Sequence, residues 1–111
     1  MKLRYTPEAI SDLREIRDYI QSALHNSTAA KRISKVVLDA CSTLKQFPEL
    51  GVSIEAKTGF ETDLRMLVCE NQIAIYRVDA EADIVSVARI VNARQDYIRL
   101  LFGDIPERSQ S

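Results

Sequence analysis

The chain is poor in the residues that build metal sites and disulfide frameworks. Its 111 residues hold one histidine, His25, and two cysteines, Cys41 and Cys69. There is no CxxC pair, so the usual donor set of a zinc site is missing and no metal is expected. Both cysteines sit inside apolar runs, where a free Cys behaves as a small buried hydrophobe. They are read as reduced thiols rather than a disulfide, because nothing points to an oxidising compartment. Three glycines and three prolines leave little room for long loops. The apolar runs fall far short of the roughly 20 residues of a membrane span. The opening MKLRYTPEA lacks the apolar stretch of a signal peptide. A cytoplasmic protein without a cofactor is expected. The formal net charge of −1 speaks against a protein that grips nucleic acid by charge alone. A local basic patch remains compatible with it.

What is present is an ordinary globular composition, 46% hydrophobic and 28% charged. It predicts one domain over residues 1–103 and a polar tail over 104–111. Residues 2–6 alternate Leu3 and Tyr5 with polar neighbours and read as a short strand. Thr6, Pro7 and Glu8 then form a helix start: a capping hydroxyl, a proline suited to the first turn and an acid at the positive dipole end. Ile10, Leu13, Ile16 and Ile20 follow at helical spacing, with Asp12, Arg14, Glu15 and Asp18 on other faces. His25 to Thr28 breaks the pattern, and Asn26 or Ser27 can cap a second helix. Its apolar stripe is Ile33, Val36, Val37, Ala40, Cys41, Leu44 and Phe47. Pro48 and Gly51 end it.

The second half changes period. Leu64–Glu70, Gln72–Asp79 and Asp83–Asn92 are three β-rich runs joined by links short enough for antiparallel hairpins. Residues 95–102 return to a short helical pattern. The order is β-α-α-β-β-β-α, an α+β fold with one antiparallel sheet and a helical hairpin on one face. Leu13, Ile16, Ile20, Val37, Leu44, Ile75, Val78, Val87 and Ile90 are the expected core, together with Tyr19 and Tyr76. Both faces of the sheet are apolar. Ile73 and Ile75 point one way with Arg77, whereas Ala74, Tyr76 and Val78 point the other. On the last strand Val85, Val87 and Val91 oppose Ile84, Ala88 and Ile90. Two helices cover only one face, so the loop 52–63 or a partner chain must cover part of the other.

Four stretches resemble the RelE/ParE superfamily of toxins. TPEAISDLREIRDYI is similar to their first helix, and AAKRISKVVLDACSTLKQFPELG to the second with its Phe-Pro and Gly ending. LRMLVCENQIAIYRVD resembles the two central strands. VSVARIVNARQDYIRLLF resembles the closing strand and its R-x-D turn. The likeness spans about residues 2–102 in the right order, and the ParE-like members resemble it more. It implies the toxin of a type II toxin–antitoxin (plasmid stabilisation) module, bound by a cognate antitoxin in a hetero-oligomer.

Members of this superfamily divide into two chemistries. RelE-like members are ribosome-dependent endoribonucleases, mRNA interferases that need a general base, cations for the phosphorane and a general acid. ParE-like members poison DNA gyrase without catalysis. For the ribonuclease reading the candidates are Lys57, Arg65, Arg94 and Tyr97, an incomplete set, because Ile73 stands where those enzymes place an arginine. For the gyrase reading, Arg89, Arg94 and Arg99 are the expected target contacts, since a guanidinium holds carboxylates bidentately. Ile73, Ile75 and Arg77 are the expected antitoxin surface. Arg65, Arg77 and Arg89 have a plainer alternative as surface ion pairs with Glu70, Asp79 and Asp83. Asp96 is read as fixing the last turn and Tyr97 as core. A non-toxic binding module of the same fold is the alternative from another class.

Overall fold

The computed structural model describes residues 1–94 and Arg99. Its elements are β1 (Lys2–Tyr5), α1 (Pro7–Ala23), α2 (Ser27–Ser42), a 3-10 turn at Thr43–Lys45, β2 (Val52–Ser53), α3 (Ile54–Thr58), β3 (Arg65–Cys69), β4 (Gln72–Asp79) and β5 (Ile84–Asn92). The expected first strand, the helical hairpin and the three long strands are all present, with β2 and α3 added between them. The closing helical pattern at 95–102 and the tail 104–111 lie outside the described residues, apart from Arg99.

Helix α1 starts as its sequence dictates. Thr6 Oγ1 accepts from the Ala9 N–H at 3.1 Å and donates to the Ala88 carbonyl at 2.8 Å. One hydroxyl therefore caps the helix and ties it to β5. Asn26 Oδ1 caps α2 by accepting from Ala29 N–H at 2.9 Å. Such caps contribute about 1 kcal/mol each.

The sheet runs β1-β5-β4-β3-β2. The three long strands pair antiparallel, as expected. The sheet is mixed rather than wholly antiparallel, because β1 lies parallel to β5 with Leu3 beside Val85 and Tyr5 beside Val87. The helical hairpin covers one face. Ala9, Val37, Cys41 and Leu44 pack there on Cys69, Ala74, Tyr76, Val85, Val87 and Ile90. Leu13, Ile16 and Val78 are partly buried at its margin. Ile20 is half-buried.

The second apolar face is covered by the chain itself. Ile54 of α3 and Leu64 pack with Met66, Ile73, Ile75 and Val91 into a second core. The loop 52–63 thus supplies the cover, with a two-residue strand and one turn of helix inside it.

The expected pattern fails at Ile10 and at Phe47, at Tyr19, and along β5. Phe47 is exposed because α2 gives way to the 3-10 turn, whose three residues per turn break the α-helical phase. Tyr19 is 63% exposed rather than core. On β5 the alternation slips by one residue. The register shifts opposite Ile75/Tyr76, where Val87 and Arg89, not Val87 and Ala88, meet successive residues of β4. This bulge puts Ile90 on the same face as Val85 and Val87, and turns Val91 to the second core.

Candidate functional site

A groove of about 680 Å³ runs between α1 and the end of β5. Ile16, Tyr19, Ile20 and Leu24 form its apolar wall, with Tyr19 and Ile20 three and four residues after Ile16 and Leu24 four after Ile20. Asn71, Gln72 and Ile90–Asn92 form the opposite side. Asp12, Glu15, Arg89 and Arg94 supply charge around it. Tyr19 and Leu24 are more than half exposed, so this wall is an apolar surface open to solvent. Gln72, the first residue of β4, is only 6% exposed, and its Oε1 has no hydrogen-bond partner among the described residues. A buried amide oxygen left in that state is costly, by about 1–3 kcal/mol.

At the groove's edge Asp12 holds Arg89. Its two oxygens accept from Nε at 2.8 Å and from a terminal nitrogen at 3.0 Å. The same carboxylate also accepts from the Ile90 backbone N–H at 2.9 Å. The hydrogen bonds that Arg89 donates to Asp12 raise the guanidinium's pKa. The charge of Asp12 and those of Glu8 and Glu15 add to the effect, against the opposing effect of burial. Arg89 is therefore charged at every working pH, and its fork is already occupied. That limits what it can offer a target. The sequence pattern puts Asp12 off the apolar stripe of α1. One signal was there: it lies three residues after Ala9 and four before Ile16, so it interrupts the buried stripe. Gln72 carried no comparable signal.

The other expected site residues are dispersed. Arg65 turns toward the segment after the 3-10 turn. Its Nε and a terminal nitrogen donate to the Gly51 carbonyl at 3.1 and 2.7 Å, and the latter reaches the Glu49 carbonyl at 3.2 Å. This fixes the turn that Tyr76 also holds. Lys57 is exposed on α3. Arg94 is exposed beyond β5, where its N–H donates to Asn92 Oδ1 at 2.8 Å. Arg65 is in register with Tyr76, and Asn92 with Gln72. Those positions are about 13 Å apart along β4, with a further strand spacing of about 4.8 Å on either side. The structure does not gather Lys57, Arg65 and Arg94 around one point. Tyr97 lies outside the described residues, as does Asp96. Arg99 is exposed.

Ile73 and Ile75 are buried at 3% and 0% exposure under the second core. They offer no open patch while Ile54 and Leu64 stay in place. Arg77 is exposed and pairs with Asp63 at 2.9 Å. The ion-pair reading holds in kind for Arg77 and Arg89, with Asp63 and Asp12 as partners in place of the expected ones, and fails for Arg65, which donates to backbone carbonyls. Glu70 instead receives both terminal nitrogens of Arg32 on α2, at 3.1 and 2.8 Å. Exposed pairs of this sort contribute about 0–1 kcal/mol. Among the described residues no three His, Cys, Asp or Glu side chains cluster as a metal site, and no helix is long and apolar enough to cross a membrane.

The five-stranded mixed sheet with its helices is a fold shared with toxins of the RelE/ParE superfamily. The profile of the ParE toxin of type II toxin–antitoxin systems matches residues 3–97, and the chain belongs to that family. The chromosomal ParDE toxin–antitoxin system from P. aeruginosa contains a chain of similar fold. The TM-score is 0.70 at 22% identity, over 85% of this chain and 97% of that one. The intact E. coli RelBE toxin–antitoxin complex is similar at TM-score 0.50 and 18% identity, over 85% and 98% of the two chains. The isolated E. coli RelE toxin gives 0.52 at 14%, over 90% and 92%. Searching curated protein sequences finds no match.

Proposed function

We propose that this chain arrests growth by poisoning DNA gyrase through protein contacts, and that a co-encoded antitoxin neutralises it in a cytoplasmic hetero-oligomer. The observation that carries the target is the engagement of Arg65. A ribonuclease site needs cations presented to one phosphorane. Here Arg65 is committed to two backbone carbonyls, and Arg94 stands beyond the far end of β5, two strands away. Ile73, at the position where the ribonucleases resembled above carry an arginine, is a core residue. Membership of the ParE family agrees with this reading. With Arg89 held by Asp12, Arg94 becomes the foremost target contact.

The antitoxin's seat is the groove beside α1. Burial removes Ile73 and Ile75 from the surface, whereas Tyr19, Leu24 and the orphaned Gln72 oxygen define an apolar cleft that wants a hydrogen-bond donor. An amphipathic antitoxin helix with apolar anchors and one donor would fill it.

Purified toxin is to be added to a gyrase supercoiling assay, and separately to programmed ribosomes carrying labelled mRNA. Inhibited supercoiling or trapped cleaved DNA, with intact mRNA, is expected. Ribosome-dependent mRNA cutting would replace the gyrase target with the mRNA interferase reading. Unimpaired growth on induction of the gene alone would make the chain a binding module.

A further inference from the structure

Four arginines stand on the strands of the sheet, and they differ in what their forks already hold. Arg65 is committed to the Gly51 and Glu49 carbonyls, and Arg89 to Asp12. Arg4 of β1 is exposed, and its side chain has no partner among the described residues. Arg77 of β4 gives only its Nε to Asp63, at 2.9 Å from each carboxylate oxygen. Its two terminal nitrogens have no partner among the described residues.

The two arginines with open forks lie in one row. Arg4 is in register with Ser86 of β5, and Ser86 with Arg77. All three share a face. Their neighbours Leu3, Tyr5, Val85, Val87, Tyr76 and Val78 turn to the first core, so the alternation of a strand turns Arg4, Ser86 and Arg77 the other way. The second core draws on Ile54, Leu64, Met66, the first half of β4 and Val91, and leaves this row uncovered. Two strand spacings, about 10 Å, separate the backbones of Arg4 and Arg77. Two arginine side chains close that gap from either side, over the Ser86 hydroxyl. We propose that the Arg4–Ser86–Arg77 row is a phosphate-binding site, and that it takes backbone phosphodiesters of duplex DNA. The proposal rests on the gyrase reading only for the source of the DNA, because a gyrase poison works where a duplex is held.

The form of the row selects a polymer of phosphates. It lies on an open sheet face rather than in a pocket, so a small phosphate would be held on one side only. A duplex lays down one charge per about 3.4 Å of axis on each strand, so cations about 10 Å apart meet the same strand. Lys2, one strand step from Arg4 on the same face, is exposed and also lacks a side-chain partner among the described residues. The acids nearby are already engaged. Asp63 holds Arg77, Asp79 Oδ1 accepts from the Ala82 N–H at 3.0 Å, and Asp83 lies 3.9 Å from the N-terminal amine. Charges on β1 also guard an edge strand against pairing, but that role does not call for Arg77 in line with them. The net charge of −1 makes the contact local and weak, an addition to a gyrase interface rather than a grip of its own.

The test titrates the isotopically labelled full-length chain with a short DNA duplex at low salt, and follows backbone amide and arginine Nε–H resonances. Arg4, Ser86 and Arg77 are expected to shift together and saturate, and added salt should reverse the shifts. Arg4→Gln and Arg77→Gln should each weaken binding about tenfold and lower the slope of log affinity against log salt by about 1. Lys31→Gln, the same loss of charge on α2 across the sheet, should change neither. No shifts, or shifts confined to other surfaces, would overturn the proposal. So would an equal response to inorganic phosphate or to a glutamate-rich peptide at matched charge, which would make the row a site for small phosphates or for an acidic protein. The titration contains no gyrase, so it decides the row whether or not the gyrase reading stands. A chain that binds the duplex through this row yet leaves supercoiling untouched would remove the gyrase target alone.

Discussion

The carboxylate of Asp12 binds Arg89 and the backbone N–H of Ile90 at once, with Oδ2 accepting from Arg89 Nε at 2.8 Å and from Ile90 N at 2.9 Å. One side chain of α1 thereby fixes both the cation and the main chain of β5 just past its bulge. Asp12→Ala would leave Arg89 partly desolvated with no counter-charge, and would orphan a backbone donor. Hydrogen bonds to charged groups are worth about 1.5–3 kcal/mol, so a loss of about 2–4 kcal/mol is expected in urea denaturation. Asp12→Ala with Arg89→Met should recover part of it, because removing both charges is milder than stranding one. Equal losses in the single and double variants would show that the Ile90 contact alone matters.

Tyr76 makes a second long-range tie. Its hydroxyl donates to the Pro48 carbonyl and accepts from the Gly51 N–H, both at 2.8 Å. Gly51 has no room for a side chain: a Cβ there would sit 2.6 Å from the Met66 carbonyl and 2.7 Å from the tyrosine ring. Tyr76→Phe should cost about 1–3 kcal/mol, the price of an unpaired buried donor and acceptor. Gly51→Ala should cost about 1–3 kcal/mol through overpacking against rigid backbone. The two act on one contact, so a double-mutant cycle should be non-additive.

What could be read from the sequence was local. Thr6, Pro7 and Asn26 announce their helices because a cap acts within three residues. The strands β3, β4 and β5 are visible because their periodicity and two-residue or four-residue links are contiguous. The parallel pairing of β1 with β5 joins segments some eighty residues apart, and a four-residue strand carries no mark of its partner. The β5 bulge is one extra residue, and period-two counting passes through it and misplaces Ile90 and Val91. Strand β2 and helix α3 are too short for any period to show. At the site, Arg94 and the arginine-bearing strands were legible as residue types, but the Asp12–Arg89 pair and the orphaned Gln72 depend on contacts between distant elements.

The first core rests on Leu44, which is fully buried where the 3-10 turn meets the sheet and the N-terminus. Leu44→Ala should cost roughly 2–5 kcal/mol. Leu38, 42% exposed on the outer side of α2, should lose well under about 1 kcal/mol on the same truncation, as surface changes do. Thermal melts of the two variants would check the contrast. A similar loss at both positions would mean that α2 is rotated from the orientation described.

Alkaline stability should depend on Tyr5. Burial, followed by the neighbouring Cys41 thiol, pushes its phenol above the ordinary range. The folded chain therefore holds this proton more tightly than the unfolded one. The resulting stability is whole below the unfolded value near about pH 10 and is lost as pH rises through the folded value. Cys41 is displaced in the same direction and adds to the fall from about pH 8.5 upward. Tyr5→Phe should flatten the decline in stability between about pH 9 and 11, measured by urea midpoints across that range. An unchanged slope would mean that Tyr5 ionises freely.

The groove makes the antitoxin's seat testable separately from the fold. Tyr19 and Leu24 are exposed on its wall, so Tyr19→Glu and Leu24→Glu should leave circular dichroism and melting nearly unchanged. If an antitoxin helix anchors there, each should weaken the complex by about thirtyfold or more, the scale of a hot spot worth about 2 kcal/mol. Gln72 should respond in opposite senses in the two states. In the isolated chain Gln72→Leu removes an unpaired buried oxygen and should raise stability by about 1 kcal/mol. In the complex it removes the acceptor that the antitoxin's donor completes, so affinity should fall. Lys57→Ala, on α3 away from the groove, should change neither. Calorimetric titration of each variant with the co-encoded antitoxin reads all four effects. Undiminished binding by the Tyr19 and Leu24 variants would move the antitoxin to another face.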